Sequence, residues 1–138
     1  MKKLPNLPSK LIRVALADVK KVEGMNDFYI EMGCWHGKKI NCNACAVCFA
    51  GSTMVGSKES EDGNASITPD KFDKKTKQKL LALNDFRLGC LYYGLLCMGI
   101  DIPKTLPRHF NVELYGMHRV QFKTDMNKIA DMLEAAGL

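Results

Sequence analysis

The sequence predicts a mostly helical α+β domain of about four helices, built around one long buried helix and carrying a small two-stranded β element. Three observations carry that expectation. Ile12, Ala15, Leu16, Val19 and Val22 recur at the spacing of one helix face, and so do Phe122, Met126, Ile129 and Leu133 near the other end of the chain. Between them, Lys75 to Met98 reads as a single helix, amphipathic along Leu80, Leu83 and Arg87 and then apolar on nearly every side from Leu88 onward. A helix apolar all round is normally enclosed by its neighbours. Finally, Phe28–Met32 alternates aromatic and β-branched residues as a strand does, and Asn111–Tyr115 is the segment expected to pair with it.

Taken in order, Leu4 to Pro8 is a proline-marked lead, and Ser9 is expected to cap the first helix with its hydroxyl. Lys10, Arg13, Lys20 and Lys21 fall off the apolar stripe of that helix, and Gly24 supplies its stop. Asn26-Asp27 marks a turn into the first strand, which Gly33 ends. Gly37 to Asn43 has loop composition or turns back as a second short strand. Ala44 to Gly56 is expected to be a helix of small residues that holds its shape only because neighbours enclose it, since glycine weakens it in isolation. Ser57 to Ser66 is polar and without periodicity, as an exposed loop is. Thr68-Pro69-Asp70 reads as a cap with proline in the first turn. Gly89 and Gly94 mark points where another helix, such as 44–55, packs closely on the long one. Gly99, Pro103 and Pro107 carry the chain through an irregular link, and Gly137 closes the last helix.

At 138 residues the chain fits one domain, residues 1–138, with enough apolar content to bury a core without disulfide staples. Its 46% hydrophobic and 25% charged residues are the balance of an ordinary globular protein, which argues against disorder along its whole length. The net charge of +5 is modest and its lysines are dispersed, so nucleic acid is a possible partner but not the favoured one. Lys71 to Lys79 is read as the solvated first turn of the long helix in preference to a phosphate-facing strip. The N-terminal stretch lacks the apolar core of a signal peptide, and Leu88 to Ile100 is too short to span a bilayer. A cytoplasmic setting, without membrane contact, is the expectation. There the six cysteines are thiols, packing residues, ligands or catalytic groups and not a disulfide framework.

Four of those cysteines fall in one stretch, Cys34-x-His36 followed by Cys42-x-x-Cys45-x-x-Cys48, next to the single tryptophan, Trp35. Zinc takes three or four sulfur and imidazole ligands in a tetrahedron, and Cys34, His36, Cys45 and Cys48 supply such a set, with Cys42 as a substitute. The competing reading is plain packing, in which the thiols behave as small apolar groups. A third is catalytic: Cys42 or Cys45 at a helix N-terminus would have its thiol pKa lowered. His36, His109 or His118 would then serve as base, with Asn111 or Asp125 to orient it. Cys90 and Cys97 are read as packing residues. Phosphate-loop and dinucleotide glycine signatures are absent.

The run of SKLIRVALADVKKVE, then FYIEMGCWH, then C-x-x-CFAG, then LLALNDFR resembles a class of small proteins of uncharacterised role encoded by bacteriophages and prophages. The resemblance implies a bacterial cytoplasm during infection and an accessory role exercised by binding host or viral machinery. The function expected is therefore non-enzymatic binding of a macromolecular partner, most simply a protein, with a structural zinc as an optional feature. The alternative is a cysteine-dependent enzyme with a thiol nucleophile and a histidine base.

Overall fold

The computed structural model describes residues 3–26, 28–32, 36–38, 45–55 and 69–138, with the backbone alone for 36–38, 45–47 and 55. The described chain is mostly helical: α1 (Pro8–Glu23), α2 (Phe49–Val55), α3 (Lys74–Arg87), α4 (Leu91–Cys97) and α5 (Arg119–Ala135). A 3-10 turn at Pro69–Lys71 precedes α3. Three short strands, β1 (Phe28–Ile30), β2 (His36–Lys38) and β3 (Cys45–Val47), form one sheet in the order β1-β3-β2.

Helix α1 buries Ile12, Ala15, Val19 and Val22 as the periodicity predicts, with Leu11 buried beside them and Leu16 only half-buried against the core. Its start differs from expectation. Pro8 already lies in the first turn, where its missing N–H costs nothing, and the N-cap position is Leu7, with no side-chain cap. Ser9 instead reaches across the molecule: its backbone N–H and its hydroxyl both donate to the carbonyl of Leu138, each at 3.0 Å. Arg13 bridges Asp131 and Glu134 on α5, at 2.6 and 2.8 Å. Helices α1 and α5 are thereby fastened at the chain's two ends. The stripe of α5 that packs inward is Phe122, Met126, Ile129 and Leu133, as expected.

The single long helix expected over 75–98 is two helices. Leu88 caps α3, and Gly89 follows at φ +76°, a left-handed conformation that side chains with a Cβ resist. The Gly89 N–H donates to the Phe86 carbonyl and the Cys90 N–H to that of Asp85, a Schellman motif. The same pair of bonds closes α4 at Gly99 and α5 at Gly137. Gly94 serves the fold differently: a Cβ there would lie 2.3 Å from the Phe86 ring, so α4 folds back tightly over α3. The close neighbours of the two glycines are the Phe110 carbonyl and the Phe86 ring, and not the helix expected over 44–55.

That cysteine helix is also shorter than expected. Cys45–Val47 is a strand, parallel to β1 and antiparallel to β2, and α2 begins only at Phe49. The β-branched and aromatic residues of β1 thus pair with β3, and residues 111–115, the partner expected from the sequence, run without strand structure. The cap expected at Thr68, the loop expected over 57–66, Trp35 and Asp27 lie outside the described residues. Asp73 caps α3, accepting the Thr76 N–H at 2.7 Å. The core where α1, α2, α3 and α5 meet is closed by edge-to-face packing of Phe122 on Phe49 and Tyr115, with ring centroids 5.7 and 5.5 Å apart.

Replacing Gly89 by alanine tests the helix break. A Cβ there would sit 1.8 Å from the Phe110 carbonyl oxygen, whereas at Gly99, also left-handed at φ +72°, it meets nothing within 4 Å. In chemical denaturation Gly99→Ala should cost about 1 kcal/mol, and Gly89→Ala more than about 3 kcal/mol, because backbone strain and collision add.

Candidate functional site

Leaving α4, the chain returns along the Gly89 hinge before entering α5, and residues 108–118 form a strap over the C-terminal end of α3. The Tyr92 N–H donates to the Arg108 carbonyl at 3.1 Å, and the Phe110 N–H to the Gly89 carbonyl at 2.7 Å. The Arg108 guanidinium covers the Tyr92 ring, 3.8 Å from its centroid. Further on, the buried Asp125 carboxylate accepts the Glu113 N–H at 3.0 Å and the Gln121 amide at 2.7 Å. Tyr115, a strap residue whose side chain is buried, donates its hydroxyl to Glu23 of α1 at 2.7 Å, and Lys123 reaches the other oxygen of the same carboxylate.

Held this way, the strap walls one side of a groove of about 450 Å3. Tyr115 and Phe122 line it from beneath, Ile30 and Met32 from the strand side, and Leu88 and Leu114 from the rim. Leu88 is 58% exposed, Leu114 63% and Met117 74%, and Val120 in the first turn of α5 is 80% exposed. Three of the eight large apolar side chains exposed among the described residues, Leu88, Leu114 and Met117, therefore line this one place. Among the described lining residues the charged ones are Glu31, Glu113 and Arg87, whose Nε donates to the Asn84 side chain at 2.8 Å. Burial pushes the Arg87 guanidinium pKa down, while the neighbouring Cys48 and Asp85 work against that shift.

Two shifted pKa values report how the strap is anchored. Burial drives the Tyr115 hydroxyl far above its usual value, with the hydrogen bond and charge of Glu23 adding to it. At Glu23 burial opposes ionisation. Hydrogen bonds from Lys123 and Tyr115, with the charges of Lys123 and Arg119, outweigh it and hold the carboxyl below its ordinary 4.5.

The residues singled out in the sequence meet this geometry only in part. Cys34 and Cys42 lie outside the described residues. His36 and Cys45 are described as backbone: His36 pairs with Val47 and Lys38 with Cys45, which makes His36 and Cys45 diagonal neighbours in the ladder. Cys45 is accordingly not at a helix start. That position belongs to Cys48, which is 2% exposed and whose sulfur accepts the Gly51 N–H at 3.3 Å. Cys97 donates to Asp85 at 3.3 Å, and burial, followed by Asp85, pushes its thiol pKa up to about 11. It stays protonated at neutral pH and is a poor nucleophile. His118 occupies the N-cap position of α5 without a side-chain cap bond, and His109 forms a backbone bridge to Cys90. Both histidines and Asn111 are exposed, and Asp125 is committed to the strap. No cluster of three or more His, Cys, Asp or Glu side chains suited to a metal occurs among the described residues. None of their helices is long and apolar enough to cross a membrane.

Comparison with protein-family models, curated proteins and solved structures finds no match. The groove is the surface that bears on function. Its rim was missed in the sequence because Leu88 and the pair Leu114 and Met117 belong to two distant stretches that only the helix break and the strap bring together. The available signal was Leu88-Gly89, an apolar residue before a left-handed glycine.

Removing the Tyr115 hydroxyl tests the anchor. Tyr115→Phe should lower stability by about 1.5 kcal/mol at pH 7, the worth of a hydrogen bond to a charged acceptor. Glu23 has a depressed folded pKa, so its contribution is complete above the unfolded value near 4.5 and is lost as pH falls through the folded one. The gap between wild type and Tyr115→Phe, measured by denaturation across pH 3 to 7, should narrow below about 4.5.

Proposed function

We propose that the chain is a non-enzymatic accessory protein of the phage type that works by holding a protein partner in the groove between β1, α3 and the strap. The observation that carries this reading is the gathering of Leu88, Leu114 and Met117 around one concave, aromatic-floored surface. Monomeric proteins seldom leave so many large apolar side chains together unless something covers them. The strap supports the reading as well, because a surface pinned by Asp125, Glu23 and the Gly89 hinge needs little ordering on binding. The occupant it suits is a short segment presenting aliphatic side chains with a basic flank toward Glu31 and Glu113.

Selection from a random peptide display library tests it. Selected peptides should share closely spaced aliphatic residues beside Lys or Arg. Their binding should fall more than tenfold on Leu114→Lys or Met117→Lys, substitutions at exposed positions that leave stability within about 0.5 kcal/mol. Peptides insensitive to both changes would sink the proposal.

A structural zinc at Cys34, His36, Cys45 and Cys48, with Cys42 as the substitute, belongs to the same proposal. Three sulfurs and an imidazole suit that ion, and the diagonal placing of His36 and Cys45 in the ladder is compatible with a shared site. Elemental analysis of the reduced protein should give about one zinc per chain. Chelation should then lower the melting temperature, because metal-binding energy is folding energy; a metal-free protein with unchanged melting under chelator would remove zinc from the picture.

A further inference from the structure

At the opposite end of α3 from the groove, the N-terminal lead crosses the first turns of the helix and encloses a cavity of about 670 Å3. Four lysines line it, Lys3, Lys74, Lys75 and Lys79, against one carboxylate, Asp73. That carboxylate is already engaged as the helix cap, accepting the Thr76 N–H. Nearby Asp70 is taken by Lys77. Lys79 donates to the Leu4 carbonyl at 2.7 Å and to the Asn6 side chain at 2.9 Å, both neutral acceptors. Burial depresses its pKa, and the charges of Lys3 and Lys75 depress it further. The cavity thus concentrates positive charge that the acids among the described residues leave largely uncompensated.

Two further features bear on the class of anion. The half-buried Phe72 is part of the lining and supplies an aromatic ring among the lysines. A second cavity, of about 360 Å3, shares Asn6, Lys75 and Lys79 with the first and continues past Gln78 to Met98 and Ile100. The two make a track longer than a single phosphate needs. Lysines gathered in one cavity, with an aromatic ring beside them and a further cavity leading on from Lys75 and Lys79, are what a single nucleic-acid strand requires: charge for the backbone and a flat apolar surface for a base. A duplex, whose bases are stacked inside, would make no use of Phe72.

We propose that this basic track binds single-stranded nucleic acid, with Lys3, Lys74, Lys75 and Lys79 meeting successive phosphates and Phe72 stacking on a base. The site is separate from the groove assigned to a protein partner and does not depend on that assignment.

Fluorescence anisotropy with labelled dT12 and U12, a hairpin duplex and heparin, titrated at several salt concentrations, tests it. Both single strands, or one of them, should bind more tightly than the duplex. Each phosphate contact on a single strand contributes about 0.7 to the slope of log affinity against log salt. The exposed pair Lys74→Gln/Lys75→Gln should therefore weaken binding at least tenfold at low salt and flatten the slope by about 1.4. Phe72→Leu keeps an apolar side chain on the core, and should weaken binding severalfold without changing the slope. Melting curves of each variant separate loss of binding from loss of fold. No binding, duplex or heparin bound as well as dT12, thymidine monophosphate competing at the same concentration as dT12, or affinity unaffected by the lysine pair would each overturn the proposal.

Discussion

Most of this architecture depends on the placing of one carbonyl, that of Phe110, where the side chain of residue 89 would otherwise be. With glycine there at φ +76°, α3 closes in a Schellman motif and the chain turns sharply enough for α4 to fold back. The Phe110 N–H completes the contact by donating to the Gly89 carbonyl at 2.7 Å. Both halves of that exchange are backbone, so no other side chain can substitute for the space or for the left-handed turn. Everything after the hinge inherits its position: Arg108 over Tyr92, Glu113 on Asp125, Tyr115 on Glu23. The groove exists because the strap cannot lie elsewhere.

What the sequence disclosed follows from which signals are local. The stripes of α1 and α5 repeat every three or four residues against a single core, and both were read correctly in type and in face. The closing glycines 99 and 137 were legible because the apolar pattern ends with them. Gly89 carries the same motif, yet the apolar run continues through it from Leu88 to Leu96, so periodicity alone spoke for an unbroken helix. The strand pairing failed for another reason. Residues 111–115 have the alternation of a strand, but their backbone is engaged by Asp125 and the turn at Leu114, while β1 takes its partner from the short run Cys45–Val47. Alternation reports which residues suit a pleat and says nothing of which edge is available.

The candidate surfaces were less legible than the fold, and for a physical reason. Cysteines draw attention because their chemistry is written in one letter, and two of those whose side chains are described turn out to be held: Cys48 in the core as the cap of α2, Cys97 against Asp85. The groove depends instead on ordinary leucine and methionine placed side by side by the hinge. In the basic track, the run Lys71 to Lys79 was visible and was read as a solvated first turn, and Lys74 and Lys75 are indeed exposed; the cavity beside them was not visible. The missing information was Leu4 and Asn6, which lie some seventy residues upstream, fix Lys79 and close the cavity over the helix.

Helix α3 relates the two surfaces to each other. The basic track is built on its first turns through Lys74, Lys75 and Lys79, and the groove on its last through Arg87 and Leu88. Fourteen helical residues at about 1.5 Å each set the two roughly 20 Å apart. Leu80, Ala82, Leu83 and Phe86 are buried between them, so the helix is clamped along its length and behaves as a fixed spacer. That distance exceeds the screening length at physiological salt, about 8 Å. Charge gathered at the track therefore acts only weakly on the groove, and nothing in the separation obliges one occupant to displace the other. The two surfaces are thereby held at a fixed distance on one buried helix, each open to its own occupant.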